Sequence, residues 1–323
     1  MITIRSAALH RDAQTRLGQV GYSPKKLVLI HAAIALGGSL LMTALNYLFH
    51  LQIEQTGGLS GMGLRSVLST VQSVLELAVM VLLPFWEIGL LYAALSWASG
   101  ETARFRDLTE GFRRFGAVLA YRLLSGMVFL ALMFAVFNIC STLYMLTPFS
   151  NDFAEMVYPI MQPNATAEQV EALITSEYLE KLLHTMLPLL IFSGVAYAAV
   201  AVPLFYRLRL AQFVLMDGER AGAAMLQSLR LTKKNAWQLV KLDLHFWWYY
   251  LLMGLCVVIS FGDALLPFLG ISLPFSEDVG YFLFYLAGAL CQGVLLWQCQ
   301  AKVLTTYCLA YEAFLPPVKV TDI

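Results

Sequence analysis

Six long apolar stretches dominate this chain, at about 27–49, 74–97, 116–146, 182–206, 239–260 and 279–306. A helix needs about 20 apolar residues to cross some 30 Å of hydrocarbon, and all six stretches reach that length. The loops that alternate to one side of them hold only Arg65 and Lys181 as basic residues. Every other Lys and Arg lies in the N-terminal tail, in 100–122, in 207–241 or near the C-terminal end. Such an asymmetry sets topology, because basic loops stay on the cytoplasmic side. The expected fold is therefore an all-α polytopic membrane helix bundle: six transmembrane helices, both termini cytoplasmic, and two cytoplasmic interfacial helices. Residues 1–26 form a cytoplasmic tail in this reading, 27–315 the six-span domain and 316–323 a second tail.

Composition supports the class. Hydrophobic residues make up 59% of the chain and charged residues 13%, where a soluble domain carries about 25% charged residues. The formal net charge of zero hides two layers of opposite sign. Asp152, Glu155, Glu168, Glu171, Glu177, Glu180, Asp263, Glu277 and Asp278 gather on the outer side. The basic layer suits an anionic inner leaflet, at roughly 1 kcal/mol per well-placed Lys or Arg. Membrane lipids are thus an expected partner, another membrane protein remains open as a second, and no nucleic-acid partner is expected. The first 26 residues are too polar for a signal-peptide core and the first apolar stretch is too long for one, so that stretch reads as an uncleaved span. The expected location is a bacterial cytoplasmic membrane.

The periodicity within the loops adds detail. Leu64, Val67, Leu68, Val71, Val74 and Leu75 follow helical spacing, so the second helix should begin ahead of the bilayer, after a flexible link at Gly57, Gly58, Gly61 and Gly63. In 101–115, Phe105, Leu108, Phe112 and Phe115 share one face and Arg104, Asp107, Glu110 and Arg114 another, which predicts a helix lying at the inner interface. Residues 219–236 set Ala224, Met225 and Leu229 against Arg220, Lys233 and Lys234 in the same way. The two segments resemble each other. Gly100-Glu101 leads the first and Gly218-Glu219 the second, and each runs into a span bearing a cation, Arg122 or Lys241. In the long outer loop, Thr166 with Gln169 makes a capping box ahead of an amphipathic stretch at Val170, Leu173 and Ile174. His31 and His50 fall at the two ends of the first span and read as interfacial.

Three blocks carry a family resemblance. PFWEIGLLYAALSWASGETARFRDLTEGFRRFG at 84–116 resembles the bacterial domain-of-unknown-function family 975, with its Gly-led helix, short Gly-Glu turn and Phe-rich segment. MDGERAGAAMLQSLRLTKKNAWQLVKLDLHFWWYYLL at 216–252 is similar to that family's second block, with Ser228, Lys233, Lys234, Trp237, Leu239, Leu242, Phe246 and Trp248 at matching places. AKVLTTYCLAYEAFL at 301–315 is similar to its aromatic-rich ending. The chain departs from the pattern at Asn235, where the family has Gly, and at Phe246-Trp247-Trp248, where it has Ile-Gly-Trp. Since the family has no assigned activity, the resemblance implies a fold and a topology and transfers no catalytic residue.

Two groups of residues are candidates for chemistry. Glu76 and Glu87 are eleven residues apart on one helix, three turns plus about 20°, so they share a face. A charge near the bilayer midplane, where Glu87 falls, costs on the order of 2.5–3.5 kcal/mol. Arg122 on the third span enters from the cytoplasmic side and is long enough to reach toward Glu87. The set reads either as an intramembrane ion or proton site or as a buried pair fixing helix register. At the start of the fifth span, Lys241, Asp243 and His245 alternate among Trp237, Trp247, Trp248, Tyr249 and Tyr250. An aromatic belt with a snorkelling Lys is one reading. A lipid-headgroup site joined by Arg207 and Arg209, which favour phosphate, is the other. Gly58-Leu59-Ser60-Gly61 matches the short string of rhomboid-type proteases, but no His sits at the required depth. No metal site or cofactor is expected, and the five cysteines read as small core residues. The leading function is a non-enzymatic scaffold, accessory or regulatory membrane protein. A carrier using Glu87 and a lipid-headgroup binder are the alternatives.

Overall fold

The computed structural model describes residues 6–20, 24–55, 59–159, 176–268 and 277–315. The capping box at Thr166, the amphipathic stretch at 170–174, Gly57, Gly58, the tip of the last outer loop and the 316–323 tail lie outside the described residues, as do the side chains of His50 and Glu76. Every regular element among the described residues is helical. In chain order they are α1 (Ser6–Gln19), α2 (Pro24–Gln55), α3 (Leu59–Ala98), the single turns α4 (Phe105–Leu108) and α5 (Glu110–Arg113), and α6 (Phe115–Tyr144). There follow α7 (Phe149–Val157), α8 (Ser176–Leu208), α9 (Ala211–Met216), α10 (Ala221–Thr232), α11 (Ala236–His245), α12 (Trp247–Ser260), α13 (Gly262–Phe268) and α14 (Glu277–Phe314). Five stretches are long and apolar enough to cross a membrane: Pro24–Leu45, Ser69–Ala98, Phe115–Tyr144, Lys181–Met216 and Val279–Phe314. A sixth is counted if α11 and α12 together make one span. The expected all-α multi-helix bundle is the fold observed. The second long helix begins at Leu59, ahead of its apolar stretch as the spacing predicts, and it takes in Gly61 and Gly63, expected to lie in the flexible link.

The residues divide into two compact units, 1–120 with 210–323, and 121–209. In the first, α14 is the central element: α2, α12, α1, α3 and α13 all pack on it, and α2 packs on α3. Small residues set these approaches. A Cβ on Gly288 of α14 would lie 2.0 Å from Ser260 Oγ, and one on Gly262 2.5 Å from the Phe284 ring. The His31 side chain, expected near the end of the first span, is buried in this unit, at 4% exposure. In the second unit, α7 packs on α8, and Cys140, Tyr144 and Leu189 form its small core with Val136, Phe153 and Ala196 against it. The Tyr144 hydroxyl ties that unit together, with Phe149 O and Thr185 O as its partners at 3.1 and 2.9 Å.

Three expectations change. The fifth apolar stretch is not one straight span, because α11 and α12 meet at 68°. No Pro or Gly lies at the break. Phe246 there leaves helical geometry, at φ −101° and ψ 18°, with its side chain buried. With 14 residues, α12 is about 21 Å long, short of the roughly 30 Å hydrocarbon thickness. The 101–115 segment is not one interfacial helix but the two turns α4 and α5, seated on α3. Its predicted charged face is also dispersed. Asp107 accepts the Arg104 backbone N–H at 2.6 Å, Glu110 pairs with Arg113 at 3.1 Å, and Arg114 turns inward to donate to Leu215 O at 2.9 Å. Finally, the polar 1–26 segment holds a docked helix, α1, which packs on α14, α11 and α3.

Candidate functional site

The sequence-derived candidates are distributed over both units. Glu87 and Glu76 both lie on α3. Glu87 is on its exposed side, while the neighbouring Phe85 and Ile88 are buried. Arg122 is half-buried on α6, and Arg207 and Arg209 stand at the end of α8; all three belong to the second unit, whereas Glu87 belongs to the first. Of the headgroup candidates, Lys241 and His245 are exposed and one turn apart, so they share a face of α11. Asp243 points elsewhere. Its Oδ1 accepts the Tyr250 hydroxyl at 2.6 Å and the Tyr307 hydroxyl from α14, so the carboxylate ties α11, α12 and α14 together across the break. One turn further along α14, Tyr311 makes the same kind of bond to Asp217.

Around His245 the structure gathers basic residues that the sequence pattern does not connect. The His10 ring of α1 meets the His245 ring edge-on, with centroids 4.6 Å apart, and lies 5.3 Å from the Phe246 ring. His10 is within electrostatic reach of Lys302 on α14. Lys302 and Lys25, in the first turn of α2, are both within such reach of Cys299. Lys25 Nζ stands 5.7 Å from the Trp297 ring centre and 3.4 Å from Gln298 Oε1. Burial lowers the pKa of His10, and the neighbouring charges of Lys302 and His245 act in the same direction. Among the described residues, none of these four groups pairs with a carboxylate, and His10 Nδ1 is buried with no hydrogen-bond partner. Trp247 and Trp248 stand exposed beside them at the start of α12. Only His245 of this cluster is a candidate from sequence. The others come together through α1, whose polar sequence gives no sign of where it docks.

A second surface lies on α6. Ala131, Ala135, Asn138 and Thr142 recur at helical spacing and all four are exposed, among exposed Leu130, Phe134, Phe137 and Ile139. The Asn138 amide gives one N–H to Phe134 O at 2.7 Å, leaving its carbonyl oxygen and second N–H.

The fold defines an all-helical type of chain with five, or up to six, helices long and apolar enough to cross a membrane, compatible with a multi-pass membrane protein. No protein-family model, no curated protein and no solved structure matches it.

Proposed function

We propose that this chain is a non-enzymatic multi-pass protein of a bacterial cytoplasmic membrane, with both termini cytoplasmic, that holds or regulates a second membrane protein. The observation that carries this reading is Asn138, exposed on a small-residue stripe of an otherwise apolar helix. In lipid, helices gain little from apolar burial and associate through close packing of small residues and interhelical hydrogen bonds. An Asn with unused donor and acceptor capacity between Ala131, Ala135 and Thr142 suits such a contact. The fate of the other polar groups agrees with a structural rather than chemical role: Asp217, Asp243, Arg16 and Arg114 are all engaged in bonds between elements.

A photo-crosslinking residue in place of Ala135 tests the reading in intact cells. Adducts to another membrane protein are expected there, and adducts to lipid alone from Phe137, on the opposite side of α6. The same lipid-only pattern from both positions overturns it. Asn138→Leu should reduce the protein adduct several-fold, since polar interhelical bonds in membranes are worth about 0.6–2 kcal/mol.

A further inference from the structure

We infer that His10, Lys25, His245 and Lys302 form a binding site for a phosphate-bearing anion, whose occupant in the membrane is the headgroup of an anionic phospholipid. The inference stands apart from the partner-helix reading, so the failure of either leaves the other untouched.

The four groups come from α1, α2, α11 and α14, elements distant in sequence that the fold brings to one place. Three other cations in this unit have acceptors: Arg16 donates to Ala98 O, Arg114 to Leu215 O, and Arg113 pairs with Glu110. Lys302 has no such partner among the described residues. Lys25 has only a Gln298 oxygen at 3.4 Å, beyond the usual range of an N–H···O bond. Gathering cations without a counter-charge is unfavourable, and more so where partial burial weakens solvent screening. A phosphate oxygen reverses the sign of that term and accepts charge-assisted bonds from Lys and from protonated His. Lys25 also stands in the first turn of α2, where the helix dipole adds positive potential.

The level in the membrane selects the source. Trp side chains concentrate at the headgroup layer. Trp297 lies under Lys25, and Trp247 and Trp248 are exposed beside His245. Exposed Lys241, on the His245 face of α11, extends the positive surface outward. A diester headgroup at this level places its phosphate by the lysines and its chains along α12.

The test uses the full-length protein in detergent and follows its thermal midpoint during titration with short-chain phosphatidylglycerol, phosphatidylcholine or sodium phosphate. Phosphatidylglycerol should raise the midpoint saturably and phosphatidylcholine should not. Lys25→Gln with Lys302→Gln should weaken the apparent affinity roughly 25-fold, about fivefold for each lysine near an anionic surface. Lys233→Gln with Lys234→Gln removes the same charge from the exposed end of α10 and should leave the affinity unchanged. Lys302→Arg should retain binding. If the double variant does not fold, His245→Gln, at an exposed position, carries the comparison. Stabilisation by sodium phosphate, with phosphatidylglycerol no better than phosphatidylcholine, keeps the ligand chemistry and assigns a soluble phosphate as its source. An equal response of wild type and the Lys25/Lys302 variant, an equal loss in the Lys233/Lys234 control, or no response to either anion overturns the site.

Discussion

Two places in this molecule begin alike and end differently. At Gly100 and Gly218 a helix stops in a left-handed glycine, φ 79° and 103°, and each glycine is followed by Glu. Gly100 N–H bonds Trp97 O, and Glu101 N–H bonds Ser96 O, which is the two-bond Schellman closure. Gly218 N–H makes the corresponding bond to Leu215 O at 3.2 Å. Each helix end is also capped by an arginine from elsewhere, Arg16 on Ala98 O and Arg114 on Leu215 O. Beyond the turn the likeness stops. After Gly100 the chain makes two single turns seated on α3 by backbone-to-backbone contact. A Cβ on Gly89 would fall 1.9 Å from Leu108 O, and one on Gly111 2.0 Å from Phe85 O. The Phe112 and Phe115 rings stack on Phe85. After Gly218 the chain makes a regular helix, α10, with Ala221, Ala224, Met225, Ser228 and Thr232 buried. A shared turn therefore redirects the chain, and the form of the next segment depends on how closely it must approach its neighbour.

Alanine substitutions should separate the two regions most sharply. Gly89→Ala or Gly111→Ala places a methyl group on a fixed carbonyl and should cost about 3 kcal/mol, at the upper end of overpacking, read as a lowered thermal midpoint. A midpoint unchanged in both would mean that α4 and α5 do not sit on α3. Gly222→Ala in α10 meets nothing within 4 Å and should have the opposite sign, a gain of about 0.5–1 kcal/mol from helix propensity. Next in size is Arg114→Met, which removes the cap that the first region lends to the second. A hydrogen bond from a charged group is worth about 1.5–3 kcal/mol, and hydrogen exchange should rise at α9 more than at α3. Gly100→Ala and Gly218→Ala should then cost nearly the same, about 1–2 kcal/mol each from the left-handed conformation; unequal losses would show the turns to be less alike than their bonds suggest.

The smallest effect should leave both regions in place and act on α1. His10 is held below its ordinary pKa by burial first, then by Lys302 from α14 and His245 from α11; on the α3 side, Arg16 meets the Ala98 carbonyl. With the docked pKa below the free one, docking of α1 favours neutral His10. That contribution is complete above about pH 6.5 and is lost as pH falls through the lower docked value. Hydrogen exchange across residues 6–19 should therefore speed up between about pH 7.5 and about pH 5.5 before α3 or α9 responds, and His10→Gln should flatten the change.

Length and apolarity are enough to read the long helices, because a span is defined within its own residues. The Gly-Glu pairs are visible for the same reason, since a left-handed cap is a local requirement. Other features depend on residues far away in the chain. Nothing near Phe246 announces a break, since the bend goes with a buried Phe and with the Asp243–Tyr307 bond across 64 residues. The aromatic spacing at 105–115 fits a surface helix until Gly89, on another element, lets the backbone come close. Lys241 and His245 are recognisable as basic residues near a belt of Trp, but their relation to His10, Lys25 and Lys302 needs α1 and α14 in position. Asp243, grouped with them by proximity in sequence, faces the tyrosines instead.

The docking of α1 on α14 has a consequence for how the chain is made. Helix α1 precedes α14 in the chain by the whole of the intervening helices, yet its largest contact surface is on α14. Since chains fold as synthesis supplies their parts, α1 can meet α3 and then α11 early, but its docking is complete only once α14 has been made. His10 meets Lys302 only when translation has passed α14. A chain truncated before that point keeps α1 without its largest contact.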